Sequence, residues 1–150
     1  MKRISVFVCL IVCLSLSLGI SAENRNDWVK YADDKSTSYS IDRNSIFRNN
    51  SGNYYVLILM VPYKNNAFNT RLKRSDIAYV YSEQEVDVTN SLHRVISLHL
   101  YNKDGKEIAS DAYSLKGIDV PNFENIVKGS VTDSLKKYVV NYSKDRQKEK

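Results

Sequence analysis

One stretch constrains this chain more than any other: Tyr54 to Val61 reads YYVLILMV, an unbroken apolar run rich in strand formers. A run without alternation implies burial on both faces, which predicts a central strand. The turn-forming residues Asn49-Asn50-Ser51-Gly52-Asn53 precede it, and Pro62 marks its end. A central strand needs neighbours on each side. Thr37 to Asp42 and Ser45 to Arg48 read as strands before it, and the polar stretch Lys64 to Lys73 reads as a loop after it.

The following segments alternate. In Ala78 to Val88 the even positions Ala78, Val80, Val86 and Val88 are apolar, and the odd positions are Tyr79, Tyr81, Glu83, Glu85 and Asp87. In Leu92 to Tyr101 the even positions Leu92, Ile96, Leu98 and Leu100 are apolar, with Arg94 the exception. Opposed residues of an antiparallel pair share a face, so the even faces must meet and paired residue numbers must sum to an even value. A three-residue loop Thr89-Asn90-Ser91 satisfies this, pairing Val88 with Leu92 and Val80 with Leu100, with Asn90 left-handed. A second loop, Lys103-Asp104-Gly105, pairs Asn102 with Lys106 and Leu100 with Ile108, with Gly105 supplying the positive φ.

After a loop-rich stretch, Leu115 to Gly129, the sequence Ser130-Val131-Thr132-Asp133 fits a helix-capping box. The helix it opens carries Val131, Leu135, Tyr138, Val139 and Tyr142 on one stripe. That stripe must lie on the sheet. The expected fold is therefore α+β: a single antiparallel sheet of about six strands with one C-terminal helix packed on one face.

Before this domain, Lys2 and Arg3 precede an apolar segment, Ile4 to Leu18, and the small-residue site Gly19-Ile20-Ser21-Ala22. These are the parts of a secretory signal peptide over residues 1–22, with cleavage after Ala22 or Ser21. An uncleaved anchor is the alternative; lipidation at Cys13 is disfavoured because bulky Val12 precedes it. Both cysteines, Cys9 and Cys13, fall in this leader, so the exported domain has none and must be held by its own core. The domain spans residues 23–143. Its Trp28, Val29 and Tyr31 predict an N-terminal segment pinned to the core, and the mixed-charge residues 144–150 read as a flexible tail. Without the leader, 20 basic residues face 17 acidic ones, a net charge of +3 with scattered signs. That pattern gives no reason to expect nucleic-acid binding, and no membrane insertion is expected once the leader is removed.

Trp28, the stretch Tyr39-Ser40-Ile41-Asp42-Arg43-Asn44-Ser45-Ile46, the two-hairpin block ending in Tyr101-Asn102-Lys103-Asp104-Gly105-Lys106, and Gly129-Ser130 opening a short last helix together resemble the surface-adhesin protein E domain family. The resemblance covers about residues 28–142. It implies a six-stranded antiparallel sheet with a C-terminal helix, in an outer-surface or secreted protein that binds host proteins. Members often carry two cysteines that would tie the helix to the sheet. Here Asp87 is followed by Val88, and the helix carries Val139-Val140 instead. Without that bridge the docking of the helix must be apolar; the helical stripe favours Val139 as the partner of Val88, although the family pattern allows Val140.

Reactive chemistry is poorly signalled. No G-x-S-x-G elbow, no cysteine outside the leader and no glycine-rich phosphate loop is present, and no cofactor is expected. His93 and His99 fall on the polar face of one predicted strand, about 20 Å apart at ~3.3 Å per residue, too far for one metal ion. Glu83, Glu85 and Asp87 line one strand face at about 6.7 Å intervals. A solvated face with cross-strand partners accounts for them, and a hydrolase would need an enclosed cleft around them. The candidate binding face is instead Tyr79, Tyr81, His99 and Tyr101, because tyrosine is enriched in recognition surfaces. The functional expectation is a non-enzymatic binding module. It would take a protein ligand, either host extracellular matrix at the cell surface or an envelope component in the periplasm.

Overall fold

The computed structural model describes residues 26–63, 76–112 and 122–148. The expected leader, the expected 64–73 loop, residues 113–121 of the expected loop-rich stretch and its approach, and residues 149–150 lie outside the described residues. Six strands form one antiparallel sheet in the order β1 (Trp28–Asp33), β2 (Thr37–Asp42), β4 (Tyr54–Pro62), β5 (Tyr79–Asp87), β6 (Leu92–Tyr101) and β7 (Glu107–Ala112). Two short strands pair with interior strands of this sheet, off the main path. β3 (Phe47–Arg48) pairs with the start of β4, and β8 (Glu124–Asn125) pairs with the start of β6. The helix α1 (Val131–Lys148) closes one face. The α+β architecture is as the sequence patterns indicate.

The apolar run does form a central strand, but only one of its faces is fully buried. Val56, Ile58 and Met60 lie in the core with Ile41, Val80, Val86 and Leu100, under Leu135 and Val139 of α1. Leu57 and Leu59, on the opposite face, are half-buried, and Val61 is 40 % exposed. The run is continuous because both faces are apolar, yet only the helix side is covered.

Docking of α1 is apolar. Val139 is 0 % exposed whereas Val140 is only half-buried, and half-buried Val88 packs against the same core. Removing a side chain the size of Leu135 or Val139 from water contributes about 1.5–3 kcal/mol. The cap forms with a one-residue difference. The Asp133 backbone N–H donates to Ser130 Oγ at 3.1 Å, but the Asp133 carboxylate accepts from Gly129 N–H at 2.9 Å rather than from Ser130. It also pairs with Lys137 at 2.8 Å, and these contacts hold its carboxyl below the usual range, the Lys137 bond most of all. The helix continues to Lys148, so residues 144–148 are solvated but helical rather than a loose tail.

Both hairpin registers hold in part and are shifted by bulges. Val80 pairs with Leu100 and Glu83 with Ser97, as the even-sum rule requires. Gln84 then faces Val95, which leaves Ile96 as an extra residue, and Asp87 rather than Val88 faces Leu92. The connecting loop is thereby lengthened to residues 88–91. The Asp87 carboxylate braces it, accepting from Asn90 N–H at 2.9 Å and Asn90 Nδ2 at 2.8 Å. Its left-handed residue is Ser91 (φ 56°), not Asn90. In the second hairpin Gly105 has the expected positive φ (74°), and Asn102 N–H donates to Lys106 O at 3.0 Å. Tyr101 faces Glu107, but Ile108 is then extra, so Leu100 faces Ala109 instead of Ile108. A third bulge sits at Tyr31 in β1. The Tyr31 ring lies 6.3 Å from Tyr39 and 6.4 Å from Tyr138 of α1. Burial pushes its hydroxyl pKa well up, and burial with an Asp34 hydrogen bond takes that of Tyr39 to about 12.

Candidate functional site

The face of the sheet turned away from α1 carries Tyr79, Tyr81 and Tyr101. Register places Lys30, Ser40, Leu59, Tyr81, His99 and Ser110 in one row across all six strands, because each is paired with the next. The adjoining row contains Tyr79, Tyr101 and Glu107. All four residues of the candidate face, Tyr79, Tyr81, His99 and Tyr101, are therefore brought together. The rings contact one another: Tyr79 stacks on Tyr101 with centroids 5.0 Å apart, and Tyr81 meets both edge-on at 5.4 Å. The Tyr101 hydroxyl donates to Glu107 at 3.2 Å, and His99 Nδ1 lies 3.4 Å from the same carboxylate oxygen. Glu107 is held below the usual carboxyl range by its hydrogen bonds, first that of Ser110 and then those of Tyr101 and His99. Partial burial raises the hydroxyl pKa of both Tyr81 and Tyr101.

Trp28 also belongs to this face, not to the core. It pairs with Asp42 while its neighbour Val29 pairs with the core residue Ile41, so the two point to opposite sides. Its indole stacks on Tyr81 at 5.7 Å, although β2 and β4 separate β1 from β5. Leu57 and Leu59 of β4 lie on the surface beneath that span. The alternation of β1, with Trp28 and Lys30 against Val29, is the signal that assigns Trp28 to this side. An apolar residue count alone points it inward.

The three carboxylates of β5 do not act as a set. Glu85 is only 2 % exposed, contrary to a solvated reading. One of its oxygens accepts from Asn49 Nδ2 and Asn53 Nδ2, both at 2.9 Å, and the other from Arg94 Nε at 2.7 Å. The Arg94 guanidinium in turn lies 4.4 Å from the centroid of the Phe123 ring. Glu85 thus fastens the 49–53 turn to β6. Glu83 accepts from Ser97 Oγ at 2.9 Å, and Asp87 braces its own loop.

The histidines do not share a face either. The bulge at Ile96 reverses the side chains that precede it, so His93 pairs with the core residue Val86 while His99 pairs with Tyr81. His93 Nδ1 is buried without a hydrogen-bond partner, and burial holds the ring pKa below the ordinary 6.5. Among the described residues no group of three His, Cys, Asp or Glu side chains is placed to hold a metal ion.

In comparisons with known proteins, no protein-family model, no curated protein and no solved structure matches this chain.

Proposed function

We propose that this chain is an exported binding module that takes a protein partner on the helix-free face of its sheet. The observation that carries the reading is the contiguous, half-exposed aromatic cluster of Trp28, Tyr79, Tyr81 and Tyr101, flanked by Leu57, Leu59 and Val61. Aromatic anchors and a contiguous apolar patch are the usual materials of a protein interface. The rings already brace each other, so little further side-chain freedom would be lost on binding. The hydroxyls supply polar tips that orient a partner. Export rests on the leader-like residues 1–22. The resemblance to surface-adhesin protein E domains adds weight, since the sheet-then-helix order is the one it implies. Host matrix proteins are the first partners to test, and envelope components the second.

The test is solid-phase binding of the purified protein to a panel of purified matrix glycoproteins and to envelope extract. Saturable binding that falls at least about tenfold in a Tyr79→Ser, Tyr81→Ser variant with unchanged circular dichroism supports the reading. Binding to matrix and envelope that is equally strong with and without these rings defeats it. N-terminal sequencing of the secreted protein tests export, with Glu23 or Ala22 expected as the first residue.

A further inference from the structure

On the other side of the sheet, between the last turns of α1 and the start of β4, lies a cleft of about 560 Å³. Ile46, Arg48, Tyr54, Tyr142, Ser143 and Arg146 line it. Tyr54 pairs with the core residue Val86, so the cleft opens on the helix side, away from the aromatic cluster. Its chemistry is therefore independent of the partner-binding face proposed above.

The lining has a definite character. Two guanidinium groups border it and, among the described residues, no carboxylate does. Each cation rests near a tyrosine that also lines the cleft: Arg48 lies 5.8 Å from the Tyr54 centroid and Arg146 5.7 Å from that of Tyr142. Such contacts hold a cation in place without neutralising it. Arg48 is further fixed by its Nε–H, which donates to Gly52 O at 2.9 Å. Other arginines have carboxylate partners, Arg43 with Asp27 and Arg94 with Glu85, whereas among the described residues neither Arg48 nor Arg146 has one. The Tyr54 and Ser143 hydroxyls are hydrogen-bonded to each other at 2.8 Å. That bond uses one of their two protons, which leaves the other to donate. Ile46 and the two ring faces complete the wall with apolar surface.

We infer that this cleft is a binding site for a small organic anion, a carboxylate or phosphate attached to an apolar or aromatic body. Guanidinium groups bind such anions through paired N–H donors, and the free hydroxyl proton supplies another. The volume falls within the ~300–1,000 Å³ usual for small-molecule sites.

Phenyl phosphate and benzoate are the probes, titrated into the isotope-labelled protein and followed by NMR. Inorganic phosphate and benzyl alcohol separate the contribution of the anion from that of the apolar body. Saturable shifts confined to Tyr54, Tyr142, Ser143 and their neighbours are expected with both aromatic anions. Arg48→Gln and Arg146→Gln should each weaken binding about tenfold, and together abolish it. Both arginines are exposed, so the fold should tolerate their loss. Should Arg48→Gln disturb the 49–53 turn, Arg146→Gln alone decides the matter. The site is overturned by an absence of saturable shifts at these residues, by equal shifts with benzyl alcohol, or by unchanged affinity in the double variant. Inorganic phosphate binding as tightly as phenyl phosphate would overturn the organic part of the assignment.

Discussion

Ile58 and Leu59 are neighbours on the central strand and end in different surroundings. Ile58 points under α1 into a core closed by Leu135 and Val139, while Leu59 joins a half-exposed aromatic surface on the other side. The same contrast runs across the whole sheet. Beneath Leu135 and Val139 the helix side is apolar and sealed. The free side is aromatic and partly open to water, and Glu85 is sealed there by its Asn49, Asn53 and Arg94 partners. Similar side-chain chemistry is thus sealed into the core on one face and left partly open to water on the other. What separates them is coverage by the helix, not hydrophobicity.

A charge placed on each side in turn tests this contrast most directly. Val139→Asp buries a carboxylate with no partner among the core residues, which should cost more than about 4 kcal/mol and unfold much of a domain of this size. Val61→Asp, at a site already 40 % exposed, should be nearly neutral. Milder truncations keep the same order: Leu135→Ala about 2–5 kcal/mol, Leu59→Ala about 1 kcal/mol or less. Chemical denaturation reads both. Equal losses from Leu135→Ala and Leu59→Ala would mean the free face is sealed in solution and the contrast is false.

Next in size is the exception on the free face. Glu85→Ala leaves the Arg94 guanidinium and two asparagine amides without their acceptor, a loss of about 3–5 kcal/mol by analogy with other buried pairs broken on one side. Glu83→Ala, two residues away on the same face, should stay within about 0.5 kcal/mol. If the two carboxylates proved equivalent, Glu85 would not be the fastening point of the 49–53 turn. Smaller again is the helix cap. Ser130→Ala should cost about 1 kcal/mol, because Asp133 N–H loses its acceptor while the Asp133 carboxylate still holds Gly129.

Much of this fold is legible in the sequence, and the places where it is not have a common cause. The unbroken apolar run locates β4 and period-two alternation locates β5 and β6, the even-sum rule correctly pairs Val80 with Leu100, and the helical stripe selects Val139 over Val140. Bulges are not legible, because alternation assumes an uninterrupted pleat. One residue does announce the first of them: Arg94, the only charged side chain in an otherwise apolar even row. With Ile96 as the extra residue, Arg94 moves to the free face and meets Glu85, and the anomaly disappears. The same assumption makes the first hairpin loop one residue too short. The tyrosine patch is readable because it lies on the unshifted side of the bulge. Trp28 is not, because its contact with Tyr81 spans strands that are distant in sequence. The Arg48–Arg146 cleft is likewise invisible, since it forms only when α1 lies beside β4.

The smallest effect tests the bulge through the histidines. An unbroken pleat would put His93 and His99 on one face; the bulge turns His93 toward the helix side, opposite Val86. There its Nδ1 is buried without a partner, so protonation would place an N–H where no acceptor waits. Burial lowers its pKa from the ordinary 6.5, with the Glu124 carboxylate opposing that shift less strongly. A depressed folded-state pKa means that the unfolded chain binds the proton more readily. The stability associated with neutral His93 is then fully present above about pH 6.5 and is lost progressively as pH falls through its folded-state pKa. His93→Gln should remove this component of the acid slope, whereas His99→Gln should leave it in place. Imidazole NMR titration gives the more direct reading: His93 should begin to protonate only below the usual histidine range. A His93 pKa at or above 6.5, with a solvent-accessible Nδ1, would place the ring outside the helix-side layer and remove the support for a bulge at Ile96.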